Sequence, residues 1–127
     1  MCHAQERYLF THAGVTNDWL ERANHDAGIS VVDFINSRLK DNPKSLEFIF
    51  TREDYSGNNT IHSPIWVRPQ SLLSDTLLGW THVVGHTNVQ SISPFDNTKG
   101  DVIFTDVLSV KDQFLVIEDG IPKVVLL

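Results

Sequence analysis

Apolar and polar positions change their period along this chain of 127 residues. The run Tyr8-Leu9-Phe10 leads into Thr11-His12 and then two small residues, which predicts a buried strand from about Arg7 to His12 followed by a sharp turn. Thr16 as N-cap and Asp18 in the first turn predict a helix to about His25, ended by Gly28. Ser30 then caps a second helix, in which Val31, Val32, Phe34, Ile35 and Leu39 recur at helical spacing. Asp41-Asn42-Pro43 closes it, and Pro43 suits the first turn of a third helix over 44–53. Residues 54–63 are polar and read as a loop.

The second half has a different rhythm. "PIWVRP" (64–69) is a short extended piece fenced by prolines, and 71–80 predicts a helix. "THVVGHT" (81–87) is another buried strand ending on a histidine and a small residue. "VQSIS", "DVIFTDVLSV", "QFLVIE" and "PKVVLL" read as β-structure. Asp119-Gly120 marks a hairpin between the last two, and Pro122 places the final strand at an edge. Helices early and strands late predict an α+β or layered α/β fold rather than a bundle.

Composition narrows the function classes. The length suits a single domain spanning 1–127, and 41% hydrophobic with 20% charged residues is ordinary for a globular protein. A net charge of −6 argues against a nucleic-acid partner. No stretch has the length and apolarity of a membrane span, and no signal-peptide pattern precedes the first strand, so a cytoplasmic protein without a membrane partner is expected. Cys2 stands alone, which permits no internal disulfide and fits a reducing compartment.

Three residues are candidates for chemistry. His12 and His86 share one context, an apolar strand, then histidine, then small residues. Strand ends in α/β folds converge on a crevice, and imidazole is a common metal ligand. The other reading makes both of them hydrogen-bonded core histidines. Arg68 in "WVRP" offers a planar fork suited to two phosphate oxygens, with Trp66 and Pro69 to hold it, or else a surface ion pair.

"FTHAG", then "WVR" some fifty residues on, then "VVGHT", in this order, resembles the calcineurin-like metallophosphoesterases, in particular the phage and bacterial Ser/Thr-phosphatase and symmetrical diadenosine tetraphosphatase branch. The resemblance covers about residues 7–120. It implies that His12 and His86 are ligands of one metal of a dinuclear site and that Arg68 contacts the phosphate. The implied cofactor is a divalent ion (Mn, Fe or Zn), and the implied partner is a phosphate ester or nucleotide. The implied fold is a β-sandwich flanked by helices. Asp106 in "VIFTDV" lies where the family has an "IDTG"-like stretch, but Val107-Leu108 replace Thr-Gly, so no catalytic role is assigned to it.

The family's first-half motifs do not occur. There is no Asp-x-His; "GDVIFTD" carries Phe104 where the second aspartate belongs; and "GNNT" at Gly57 has Asn59 and Thr60 in place of His-Glu. The chain therefore resembles the C-terminal half of such an enzyme. Two-metal hydrolysis needs a carboxylate bridging ions about 3.5–4 Å apart to generate the attacking hydroxide. Two histidines and an arginine cannot assemble that nucleophile, so a half-domain inactive alone is expected, or else a non-catalytic phosphate- or nucleotide-binding module. A third, plainer reading makes all three residues structural. A half-fold should also leave an apolar strand face and an unpaired edge, for which a homodimer is the expected answer.

Other histidines add little at this level. His82 and His86, on one strand, would face the same side roughly 13 Å apart at about 3.3 Å per residue, too far to share an ion. His82 reads as packed or solvent-facing, and His62 as a solvated loop residue. "DYSGNN" begins like a calcium loop but lacks the sixth-position glycine and the twelfth-position glutamate.

Overall fold

The computed structural model describes residues 1–48, 54, 56–92 and 101–127. Its centre is a four-stranded sheet in the order β1 (His3–Gln5), β2 (Tyr8–Thr11), β3 (Thr81–Val84), β4 (Asp101–Phe104). β1 is antiparallel to β2, whereas β2, β3 and β4 run parallel. Between β2 and β3 lie α1 (Asn17–Arg22), α2 (Val31–Asp41), a 3₁₀ turn (Pro43–Leu46) and α3 (Pro69–Ser74). β5 (Gln113–Glu118) and β6 (Ile121–Leu126) form a separate antiparallel ribbon. The architecture is α+β.

The period-two alternation of the strands divides the core. Tyr8, Val83 and Ile103 share one face, where Ile92, Val107 and the ribbon residues Leu115 and Ile117 join them. Leu9 faces the opposite side and packs with Trp19, Leu20, Phe34, Ile35, Leu46 and Leu77. Val84 and Val102, on that second face too, pack with Ala13, Val67 and Leu72. Helices thus cover one face of the sheet and the ribbon covers the other. The Tyr8 hydroxyl, fully buried, donates to the Gly120 carbonyl at 2.8 Å and ties the hairpin tip to β2. Asp119 and Gly120 take φ of +51° and +71°, the left-handed pair that a two-residue hairpin loop requires.

The ribbon is only partly covered. Its register places Val124 and Leu126 on the same face as Leu115, yet both are exposed. Pro122 is tolerated because β6 pairs with β5 alone, as its edge position demands.

Several elements depart from the sequence pattern, each for a local reason. β1 has no expected counterpart: Glu6-Arg7 closes a hairpin, with Glu6 at φ +52°, in a loop without the usual Asn-Gly signal. α1 stops at Arg22, well before Gly28, because Asn24 adopts φ +55°. The His25 amide then bonds the Leu20 carbonyl and the Asn24 amide the Glu21 carbonyl, which is a Schellman ending. The third helix is reduced to the 3₁₀ turn, with Glu47 extended, and residues 49–53 lie outside the described residues.

"PIWVRP" is a turn rather than an extended piece, with the Trp66 and Val67 amides both on the Ser63 carbonyl. The expected helix over 71–80 starts earlier, at Pro69, and ends at Ser74. Asp75 leaves the helix to cap α1 instead: its carboxylate accepts from the Asp18 amide at 2.8 Å and its carbonyl from the Asn17 amide at 3.2 Å. Residues 89–92 form no strand, and Ser93 lies outside the described residues. β4 ends at Phe104, so the latter part of "DVIFTDVLSV" is not strand either. Among the described residues no helix is long and apolar enough to cross a membrane.

Candidate functional site

β2 and β3 are neighbouring parallel strands whose last paired residues are Thr11 and Val84. Their C-terminal ends therefore emerge side by side, and each is followed almost at once by a histidine. The Gly85 amide donates to the His12 carbonyl at 3.0 Å and carries the pairing one step past the strands. His86 then takes φ +64°, a left-handed conformation that histidine adopts more readily than most non-glycine residues, and its ring swings toward His12. On the other strand the Ala13 amide bonds the Pro64 carbonyl at 2.7 Å, and Gly14 turns the chain away. A Cβ on Gly14 would lie 2.4 Å from Leu72 Cδ2, so only glycine permits this turn against α3.

The two histidines, 74 positions apart in sequence, thus meet. His12 Nε2 lies 2.9 Å from His86 Nδ1, with ring centroids 4.8 Å apart. His86 Nε2 is buried and has no hydrogen-bond partner among the described residues. The Trp66 ring stands edge-on to His86 at 6.0 Å. Burial holds the His86 imidazole below its ordinary pKa, and the neighbouring His12 and Arg68 add to this, while Asp106 opposes them. The ring is thereby kept in the neutral form that can lend a lone pair.

Arg68 completes the group. Its backbone is extended, one residue before α3, with Pro69 at the first helical position. The Arg68 amide donates to the Gly57 carbonyl at 3.3 Å, and Nε donates to the Ser56 carbonyl at 2.9 Å. No other hydrogen bond or ion pair engages the guanidinium among the described residues, so its two Nη groups remain available. The residues holding Arg68 are Ser56 and Gly57; Trp66, which was expected to do so, turns its ring to His86 instead.

The ion implied by the resemblance can be tested against these donors. Two nitrogens sharing one ion at about 2.1 Å lie about 3 to 3.4 Å apart for octahedral to tetrahedral angles. His12 Nε2 and His86 Nδ1, at a hydrogen-bond distance of 2.9 Å, would therefore have to part slightly to admit one, while the unpartnered His86 Nε2 is the other nitrogen of that ring. However, no group of three or more His, Cys, Asp or Glu side chains gathers among the described residues. The histidine pair fits a share of one ion's shell and provides no carboxylate bridge. What this arrangement can do unaided is hold an anion on the Arg68 fork beside the two imidazoles.

Two further histidines are buried outside this pair. His82 is fully buried on the helical face of β3, between its register partners Leu9 and Val102, and neither ring nitrogen has a partner among the described residues. His86 is beyond the strand, so a strand-spacing argument does not relate the two rings. His62 is also buried rather than solvated. Its Nε2 lies 2.8 Å from Asp54 Oδ2, and its ring stacks on Phe48 at 4.6 Å. Asp54, itself buried, gives no sequence signal, because it sits in a stretch polar enough to pass for a solvated loop. Burial works to raise its carboxyl, but the hydrogen bonds from His62, Ser56 and Asn58 outweigh this and leave it below the usual carboxylate range.

Comparison of this chain with protein-family models, with curated proteins and with solved structures finds no match.

Proposed function

We propose that this chain is a metallophosphoesterase-like half-domain that binds a phosphate group, with Arg68 as the anion clamp and His12 and His86 as ligands for one divalent ion (Mn, Fe or Zn), and that it does not hydrolyse phosphate esters alone. The observation that carries the reading is the meeting of His12 and His86 at adjacent strand ends, ring nitrogens 2.9 Å apart, with an Arg68 fork whose Nη groups have no partner among the described residues. A planar fork presenting its two Nη groups matches two phosphate oxygens, and charge-assisted pairs of this kind are the strong ones. The absence of a third ligand among the described residues favours the second reading, a phosphate- or nucleotide-binding module without chemistry. The uncovered Val124 and Leu126 support a homodimer as part of the same proposal, and a monomer in sedimentation at high concentration would count against that part.

The test uses inorganic phosphate and p-nitrophenyl phosphate. Phosphate should bind the full chain, and Arg68→Gln should weaken it by at least about tenfold, as expected for lost charge-assisted hydrogen bonds. p-Nitrophenyl phosphate should not turn over with added manganese. Turnover that requires metal and disappears in His86→Gln would mean that the site is complete, and unmeasurable phosphate binding would remove the clamp.

A further inference from the structure

The Asp54–His62 pair has no part in the phosphate site described above, yet its hydrogen bonds lead straight to it. Asp54 Oδ1 accepts from the Ser56 amide at 3.1 Å and from the Asn58 amide at 3.0 Å, the two amides that flank Gly57. The other oxygen, Oδ2, lies against His62 Nε2 at 2.8 Å, and the His62 ring is fixed by stacking on Phe48. One buried carboxylate therefore fixes the 56–58 turn from inside. From outside, the same turn presents two carbonyls to one residue. Gly57 takes the Arg68 amide and Ser56 takes Arg68 Nε. Gly57 is at φ +80°, and a Cβ there would come within 2.8 Å of the Trp66 carbonyl and 3.3 Å of Arg68 Cγ, so the turn is pressed closely against the arginine.

The geometry points to a positioning role. We propose that the buried Asp54–His62 pair sets the direction of the Arg68 guanidinium, by fixing the turn whose carbonyls hold Arg68 N and Nε and so leaving the Nη edge free beside the histidines. The importance of that direction rests on the reading of Arg68 as an anion clamp; the positioning itself does not. Without the carboxylate, the Ser56 and Asn58 amides lose their common acceptor, the turn relaxes, and the Ser56 carbonyl no longer meets Nε. A long, flexible side chain then samples many orientations, and its two Nη groups are no longer preorganised for a planar oxyanion.

The experiment measures Arg68 directly and phosphate binding separately. The Nε–H resonance of Arg68 in the full chain is assigned by its loss in Arg68→Lys, and its hydrogen-exchange rate is measured. In Asp54→Ala, which removes the acceptor of both amides, the exchange should accelerate by at least about tenfold, since the hydrogen bond from the charged guanidinium is lost as the turn relaxes. Gly57→Ala disturbs the same turn without touching the carboxylate and should do the same, which covers the case of an Asp54 variant that does not fold. His62→Gln, which can still donate to Asp54, should keep most of the protection. Inorganic phosphate affinity should fall with Nε–H protection across the set. Unchanged Nε–H exchange in folded Asp54→Ala and Gly57→Ala would overturn the positioning role, whatever phosphate does. Failure of the parent chain to bind phosphate would overturn the clamp, and the exchange data would still decide the positioning.

Discussion

The buried His82 makes the stability of this fold depend on pH over a window that can be calculated. Burial pushes its imidazole from an ordinary 6.5 down to about 4, and neither ring nitrogen finds a partner among the described residues. The folded pKa lies below the unfolded one, so between these values the unfolded chain takes up a proton that the folded chain refuses. Stability contributed by the neutral ring is therefore complete above 6.5 and is lost as pH falls, with the loss levelling off below about 4. At 1.36 kcal/mol per pKa unit the whole effect is about 3 kcal/mol, of which about 2 kcal/mol is already lost at pH 5. For a domain of this size that is a large fraction of total stability.

The assay is urea unfolding at pH 7.5, 6 and 5 for the parent chain and for His82→Leu. Leucine suits a buried position between the apolar register partners Leu9 and Val102 and has no polar atom to leave unpartnered. Every other titrating group is shared by the two proteins, so the difference between them isolates His82. The advantage of His82→Leu should grow by about 2 kcal/mol between pH 7.5 and pH 5. Parallel pH profiles for the two proteins would refute the reasoning, because His82 would then titrate alike in the folded and unfolded states.

Three further outcomes are expected. Gly14→Ala should cost about 2 kcal/mol or more in thermal or urea unfolding, because φ is +116° and the new methyl meets Leu72, and Leu72→Ala in the same chain should recover only the steric part. Tyr8→Phe should cost about 1 kcal/mol by removing the bond to the Gly120 carbonyl, measurable in the same way, and should speed amide exchange in the β5–β6 ribbon more than in β3. Cys2 is buried, which pushes its thiol up to about 11 despite the nearby positive N-terminus, so iodoacetamide should label it slowly in the native chain and rapidly in urea, as mass spectrometry would register.

Much of this arrangement is legible in residue order. Ser30 caps α2 through the Asp33 amide as its position predicts, Asp119-Gly120 forms the hairpin loop, and the apolar runs before His12 and His86 are the adjacent strands β2 and β3. The shared context of the two histidines is the signal that brings them together, since parallel neighbours end on the same side. What the sequence hides depends on tertiary partners. α3 stops because Asp75 is needed at the start of α1, and α1 stops because Asn24 can turn left-handed where glycine was the expected breaker. His62 and Asp54 are buried in a stretch rich in Asn, Ser and Thr, where the Phe48 ring stacks on His62 and the 56–58 turn closes on the Asp54 carboxylate. Local composition carries no sign of either.

The proposed site requires His12 and His86 to act as one ligand pair beside Arg68. The most direct measurement is a zinc titration of the full chain, followed through the ring-nitrogen resonances of all six histidines. His12 and His86 should shift together with a single stoichiometric ion while His82 and His62 stay fixed, and His86→Gln should abolish the response at His12. Independent shifts of the two rings, or a response at His12 that survives His86→Gln, would contradict the account.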